Sequence, residues 1–187
     1  GCNLNHYFTE PAQPARKYMD DGKIGELVFC LHRMGFPGGE VSYGPTKGPN
    51  AWGFPYFHVK AFLAHPFSIM RYFCGDVTHV QAFMSKPSFR KHESELMVSI
   101  NSIHLRFAND AVGYLFSQRG DATMGLGGWW RVEVGGTKGT FCIENCVEKL
   151  TYFPAPGTEG AAQPEKLGLG KSPEPVVHDT GETDFGS

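Results

Sequence analysis

A chain of 187 residues with 41% hydrophobic and 13% aromatic content, including 15 Phe, carries enough apolar material for one domain with a sizeable core. A formal net charge of -2 argues against a nucleic-acid footprint or a basic membrane surface, and no apolar run approaches the length of a bilayer span. Five cysteines (Cys2, Cys30, Cys74, Cys142, Cys146) without a CxxC pair, and no signal-peptide pattern, predict reduced thiols in a cytoplasmic protein.

Gly1-Cys2-Asn3-Leu4 reads like the middle of a strand, so the chain is expected to be one domain of a longer protein. Thr9 to Gly22 predicts a first helix: Thr9 as cap, Pro11 in the first turn, and Ala12, Ala15, Tyr18 and Met19 as the apolar stripe. Gly22-Lys23-Ile24-Gly25 turns the chain into ELVFCLHR. Leu27, Phe29 and Leu31 lie on one face of that strand and Val28 and Cys30 on the other, which predicts a central position.

Met34 to Phe57 is rich in Gly, Pro and aromatic residues. Long loops inside compact domains are usually functional or disordered, and disordered ones are seldom this aromatic, so an ordered wall or lid over a pocket is expected. GPTKGPN there lacks the Gly-Lys-Ser/Thr ending and following helix of a phosphate loop.

Lys60 to Gly75 is the strongest helical segment. Phe62, Leu63, Phe67, Met70, Tyr72 and Phe73 recur at three- and four-residue steps, and Gly75 offers a left-handed stop. Near its middle His65 precedes Pro66, which has no backbone donor and crowds the carbonyl four residues back. A helix therefore starts or kinks there. His65 is either a structural, hydrogen-bonded histidine at that break or an imidazole facing a cleft.

The remaining strands follow in sequence: VTHVQAF, LMVSINSIHLRF, AVGYLFSQ, WWRVEV, GTFCIE and VEKLTYF, with turns at Asn109-Asp110 and Gly135 to Gly139. The apolar alternation shifts from Leu96, Val98 and Ile100 to Ile103, Leu105 and Phe107, which predicts a bulge near Asn101. From Pro154 onward the Pro/Gly/charge-rich composition predicts loop or linker. The whole reads as α+β with a mostly antiparallel open sheet and helices on one face. Residues 1–153 form the domain, and residues 154–187 its Pro/Gly-rich loop and tail.

Four segments in one order resemble the glucose–fructose oxidoreductase / inositol dehydrogenase family (Gfo/Idh/MocA). They are DDGKIGELVF, HPFSIMRYFCGDVTHVQAF, RFANDAVGYL and RVEVGGTKGTF. The resemblance implies the C-terminal α+β domain of a two-domain oxidoreductase using NAD or NADP. An N-terminal Rossmann domain would supply the strand–GxGxxG–helix unit, which nothing here matches, and the catalytic Lys. It also implies that this domain forms the substrate wall, supplies an active-site His, and pairs subunits through its open sheet face. Members that oxidise sugars or inositols usually carry Asp four residues before the His, where this chain has Ala61. Ser68 stands where Asp is frequent, and Tyr56-Phe57 replace a glycine pair.

His65 is accordingly the candidate catalytic residue, since imidazole titrates near working pH and can accept and return a hydroxyl proton. His58, Lys60 and Trp52 are candidate sugar contacts, and Arg119 could hold an anionic or hydroxylated substrate; surface or packing roles are the alternatives. His6, His32, His79, His92, His104 and His178 show no metal-ligand spacing, so no metal is expected. The expected function is the substrate-binding and dimerisation domain of an NAD(P)-dependent oxidoreductase acting on a sugar, inositol or related polyol. The alternative is a sugar-binding member without redox chemistry. Expected partners are the small-molecule substrate, the Rossmann domain and a second copy of the chain, with no nucleic acid and no membrane.

Overall fold

The computed structural model describes residues 4–36, 62–85, 100–119, 129–155 and 175–181, with the backbone alone at Phe36 and Arg119. Among them eight strands form one sheet: β1 (Leu27–Phe36), β2 (Val77–Ser85), β3 (Ile100–Phe107), β4 (Val112–Arg119), β5 (Trp130–Gly136), β6 (Gly139–Glu144), β7 (Lys149–Pro154) and β8 (Val176–Asp179). Their order is β2-β3-β4-β1-β5-β6-β7-β8. Only β1 with β4 is parallel; every other neighbouring pair is antiparallel. The apolar strand β1 therefore sits in the interior of the sheet, as its two apolar faces predict.

Two helices, α1 (Ala12–Asp20) and α2 (Ala64–Cys74), supply the cover for one face. Ala12 and Ala15 of α1 and Ile69, Met70 and Phe73 of α2 join a single buried cluster. Its sheet members include Cys30, Met34, Leu115, Trp130, Val132, Phe141 and Leu150. The two helices are tied together where Arg16 Nη1 donates to the Tyr72 carbonyl at 3.0 Å. Helix α1 stops where Gly22 takes φ +72°. Its N–H bonds the Met19 carbonyl and the Lys23 N–H bonds that of Tyr18, a Schellman pair of bonds that satisfies the last turn. Helix α2 ends at Gly75, φ +85°, whose N–H reaches the Arg71 carbonyl at 2.8 Å. The expected turn at Asn109-Asp110 is present, with Asp110 at φ +65° and Asn109 Oδ1 accepting from the Ala111 N–H.

Three expectations need correction, and one alternative is decided. Thr9 does not cap α1: its hydroxyl donates to the His6 carbonyl at 2.8 Å, and Pro11 takes the cap position without a side-chain bond. Of a start or a kink at Pro66 the structure takes the start, with α2 beginning at Ala64 and the proline in its first turn. Among the described residues no bulge occurs at Asn101, where pairing runs unbroken from Ile100 to Arg106 against both β4 and β2. The shift lies instead between Val77 and His79. Finally, the tail contains β8, which pairs with β7 through Leu150 and His178; four residues among Pro and Gly give too short a pattern to read as a strand. Most of the expected aromatic wall after Phe36 lies outside the described residues.

Candidate functional site

Pro66 fixes the start of α2, and His65 stands beside it in the helix's first turn. The first helical bond runs from the Phe67 N–H to the Leu63 carbonyl at 3.1 Å. That turn holds no acidic residue and no side-chain cap, so the positive end of the helix dipole bears on His65 unopposed and favours the neutral ring. His65 is half-buried. Burial lowers its pKa below 6.5, and it is neutral and able to accept a proton at neutral pH.

Three further rings line up behind it. His6, in a 3₁₀ turn (His6–Phe8), lies 4.7 Å from His65 between centroids with the rings tilted by 33°. Its other neighbour is Trp130 of β5, edge-on at 5.0 Å. Trp130 in turn meets His32 of β1 edge-on at 4.6 Å. His6 and His32 are both buried. Desolvation, with a smaller contribution from His65, pushes His6 down to about 3. Desolvation, and then His6, pushes His32 well below the ordinary imidazole range. All three imidazoles are neutral at neutral pH.

Among the described residues, several buried polar atoms of these elements and of β3 have no hydrogen-bond partner. They are both ring nitrogens of His32, His65 Nδ1, Ser68 Oγ, Trp130 Nε1 and the side-chain amide of Asn101. Asn101 and Trp130 belong to one row across the sheet, Asn101–Ser117–Met34–Trp130. An unmade hydrogen bond in a buried place costs about 1–3 kcal/mol, so such atoms usually have a use. Buried donors and acceptors on the same covered side as a proton-accepting imidazole suit a ligand rich in hydroxyl groups.

Of the residues singled out from sequence, His65 is in this cluster. Arg119 closes β4, and only its backbone is described. His58, Lys60 and Trp52 lie outside the described residues, as does Ala61. Sequence reading missed His6, His32, Asn101 and Trp130 as site residues. One signal was available for His32, which shares the inward parity of Cys30 and Met34 on a central strand, where a polar ring is out of place. Among the described residues no group of three or more His, Cys, Asp or Glu is placed to hold a metal, and Cys30, Cys74, Cys142 and Cys146 are free thiols. No helix among them is long and apolar enough to cross a membrane.

The opposite face of the sheet carries a depression of about 340 Å³ lined by residues that include Leu31, Arg33, Tyr114, Phe116, Arg131 and Glu133. Arg131 bonds Glu133 at 2.7 Å and the Cys142 sulfur at 3.0 Å. Burial pushes the Cys142 thiol up to about 11 despite that guanidinium. Arg33, directly opposite Arg131 in the ladder, has Nε and Nη2 buried without a partner.

A family model of the GFO/IDH/MocA C-terminal domain matches residues 12–142, most of the chain. The chain belongs to the GFO/IDH/MocA family. No curated protein matches it. Solved structures of similar fold include an oxidoreductase from Agrobacterium radiobacter in complex with NAD+, L-tartaric acid and magnesium. It is 17% identical at a TM-score of 0.66, over 95% of this chain and 44% of that one. The apo form of levoglucosan dehydrogenase is 19% identical at a TM-score of 0.69, over 95% and 47% of the two chains. The WlbA dehydrogenase from Bordetella pertussis, in complex with NADH and UDP-GlcNAcA, is 15% identical at a TM-score of 0.58, over 75% and 41%. This GFO/IDH/MocA domain thus spans less than half the length of those three chains. The membership and the α+β fold expected from the four sequence segments are both found, with the sheet mixed at β1–β4.

Proposed function

We propose that the chain is the substrate-binding and dimerisation domain of an NAD(P)-dependent oxidoreductase acting on a sugar, inositol or related polyol. The observation that carries this reading is His65. In a GFO/IDH/MocA domain, a neutral imidazole at the start of α2 packs against His6, with Trp130 and His32 behind it, and among the described residues the ring nitrogens of His32 and Trp130 Nε1 are buried without partners. The names of the solved relatives agree, since they include a levoglucosan dehydrogenase bound to NADH and levoglucosan.

The residues of this chain do not themselves fit a dinucleotide: no strand–GxGxxG–helix unit is present in the sequence to seat a pyrophosphate. The cofactor belongs to a Rossmann domain elsewhere in the protein, and the nicotinamide ring would take the hydride. The work of this chain is to bind the polyol, hold the reacting hydroxyl against His65, and accept its proton at the imidazole as the carbonyl forms. The open face of the sheet is the proposed pairing surface for a second copy. Leu31 and Val112 are 43% and 57% exposed there, and the partnerless guanidinium of Arg33 lies among them. An apolar patch of this kind is commonly covered by two-fold association.

One observation favours a second reading, a sugar-binding member without redox chemistry: Ala61 stands where relatives usually carry Asp. The two readings separate in an assay of the longer protein with NAD+ or NADP+ against a panel of sugars, anhydrosugars and inositols. Reduction of the nicotinamide by at least one of them is expected. Saturable sugar binding with no turnover on any would replace the first reading by the second.

A further inference from the structure

A proton acceptor must be held as well as present. In this chain Ala61 offers no carboxylate to orient His65, the first turn of α2 holds no acid, and His65 Nδ1 makes no hydrogen bond. What touches the imidazole is the ring of His6, 4.7 Å away between centroids.

His6 is itself well fixed. It is 6% exposed and backed edge-on by Trp130, which is 1% exposed in the interior of the sheet. Its 3₁₀ turn is tied to the start of α1 by the Thr9 hydroxyl on the His6 carbonyl at 2.8 Å and by Gln13 Nε2 on the Tyr7 carbonyl at 2.5 Å. It is tied to α2 by Tyr7 stacked on Tyr72, 5.5 Å between centroids and 29° between planes. The His6 ring is therefore a plate anchored to both helices and to β5.

We infer that His6 is a positioning residue for His65: its ring, backed by Trp130, limits the rotation of the imidazole by stacking, in place of a hydrogen-bonded carboxylate. The inference rests on the reading of His65 as the proton-accepting group. The titratable neighbours on the packed elements are His6 on the 3₁₀ turn and His32 on β1, both held neutral by burial, and Trp130 of β5 carries no charge. The plate is thus neutral throughout the working range and does not repel a proton arriving at His65. Burial keeps the imidazole's titration below 6.5, opposite to the effect of a carboxylate partner.

The test uses two variants of nearly conserved volume. His6→Phe keeps a ring and His6→Leu removes it while filling the space. Histidine ring resonances of the 187-residue chain, labelled with ¹⁵N, are followed by NMR from acid to neutral pH. In His6→Phe the ring-current shifts and titration midpoint of His65 are expected to stay near wild type. In a folded His6→Leu the ring-current shift should vanish, while the midpoint, set by burial, stays below 6.5. In the longer enzyme the same variant should lower kcat by roughly 10- to 100-fold with KM little changed, and His6→Phe should restore most of it. A His6→Leu chain with wild-type His65 resonances overturns the inference, as does a His6→Phe chain that loses them equally. If His6→Leu moves the His65 ring resonances while His65→Asn costs no turnover, the contact stands and the reading of the site falls. If His65→Asn abolishes turnover and His6→Leu moves nothing, the reading stands and the positioning role falls.

Discussion

Alternate residues of β1 end in opposite surroundings. Cys30, His32 and Met34 are 0%, 1% and 2% exposed beneath α1 and α2, whereas Leu31 between them is 43% exposed on the open face. The same strands, with the same apolar side chains, thus build a dry core on one side and a wet apolar surface on the other. Apolarity alone does not decide burial; a covering layer does. Only the covered face can lower the pKa of a histidine by desolvation and hold polar atoms away from water. The candidate chemistry therefore belongs to that face, and the proposed association to the other.

The largest break in that symmetry is expected in stability. Phe141 is fully buried against Phe73 of α2, 4.9 Å between ring centroids, so Phe141→Ala should cost about 3–5 kcal/mol in urea unfolding. Val112→Thr, at a position 57% exposed on the open face, should cost less than about 1 kcal/mol. Equal losses would erase the distinction between the faces.

Next comes the pH dependence, which belongs to the covered face alone. His6 and His32 have folded pKa values below the unfolded value of 6.5, so the unfolded chain binds their protons more readily. Their contribution to stability is complete above 6.5 and is lost as pH falls below it, His6 continuing to lose down to about 3. His6 should remove about 1.4 kcal/mol per pH unit, or about 2 kcal/mol by pH 5, and His32 adds a loss in the same direction. Urea midpoints taken at neutral pH and at pH 5 check this, and His6→Phe should reduce the slope.

On the open face the corresponding change is in mass, not in folding. Leu31→Glu places a charge in the middle of the pairing surface and should weaken self-association at least about tenfold by light scattering, with monomer stability nearly unchanged. The smallest effect is expected for Ala61→Asp in the longer protein. A carboxylate near His65 should raise the acidic limb of the pH–rate profile by about one unit; an unchanged profile in a folded variant would place residue 61 out of reach of the imidazole.

Much of this contrast was legible in the chain itself. The period-two alternation of the strands, the stop at Gly75 and the turn at Asn109-Asp110 are local signals, and each stands where the sequence places it. The uncovered face was legible as a count: many strands, apolar on both faces, against two helices. What was not legible depends on contacts between distant residues. Thr9 has a capping side chain, but Pro11 takes the cap position and Thr9 turns back to His6. The phase change at Asn101 suggested a bulge, yet pairing on both sides holds that residue in the inward row. His6, His32 and His65 lie on three separate elements, and only folding brings His6 and His32 against Trp130 and His65 against His6. His65 itself was singled out because a proline fixes the helix start beside it and the family segments stand in order.

The central claim is that the covered face performs the chemistry through His65. The most direct measurement is kcat/KM of His65→Asn in the longer protein, with circular dichroism and the unfolding midpoint recorded on the same sample. Asn keeps a polar side chain at the start of α2 but cannot take a proton near neutral pH. The account predicts a loss of roughly 10²–10⁴ in kcat/KM with the fold preserved. A well-folded variant with wild-type kcat/KM would contradict it and leave His65 as a packing residue at the start of a helix.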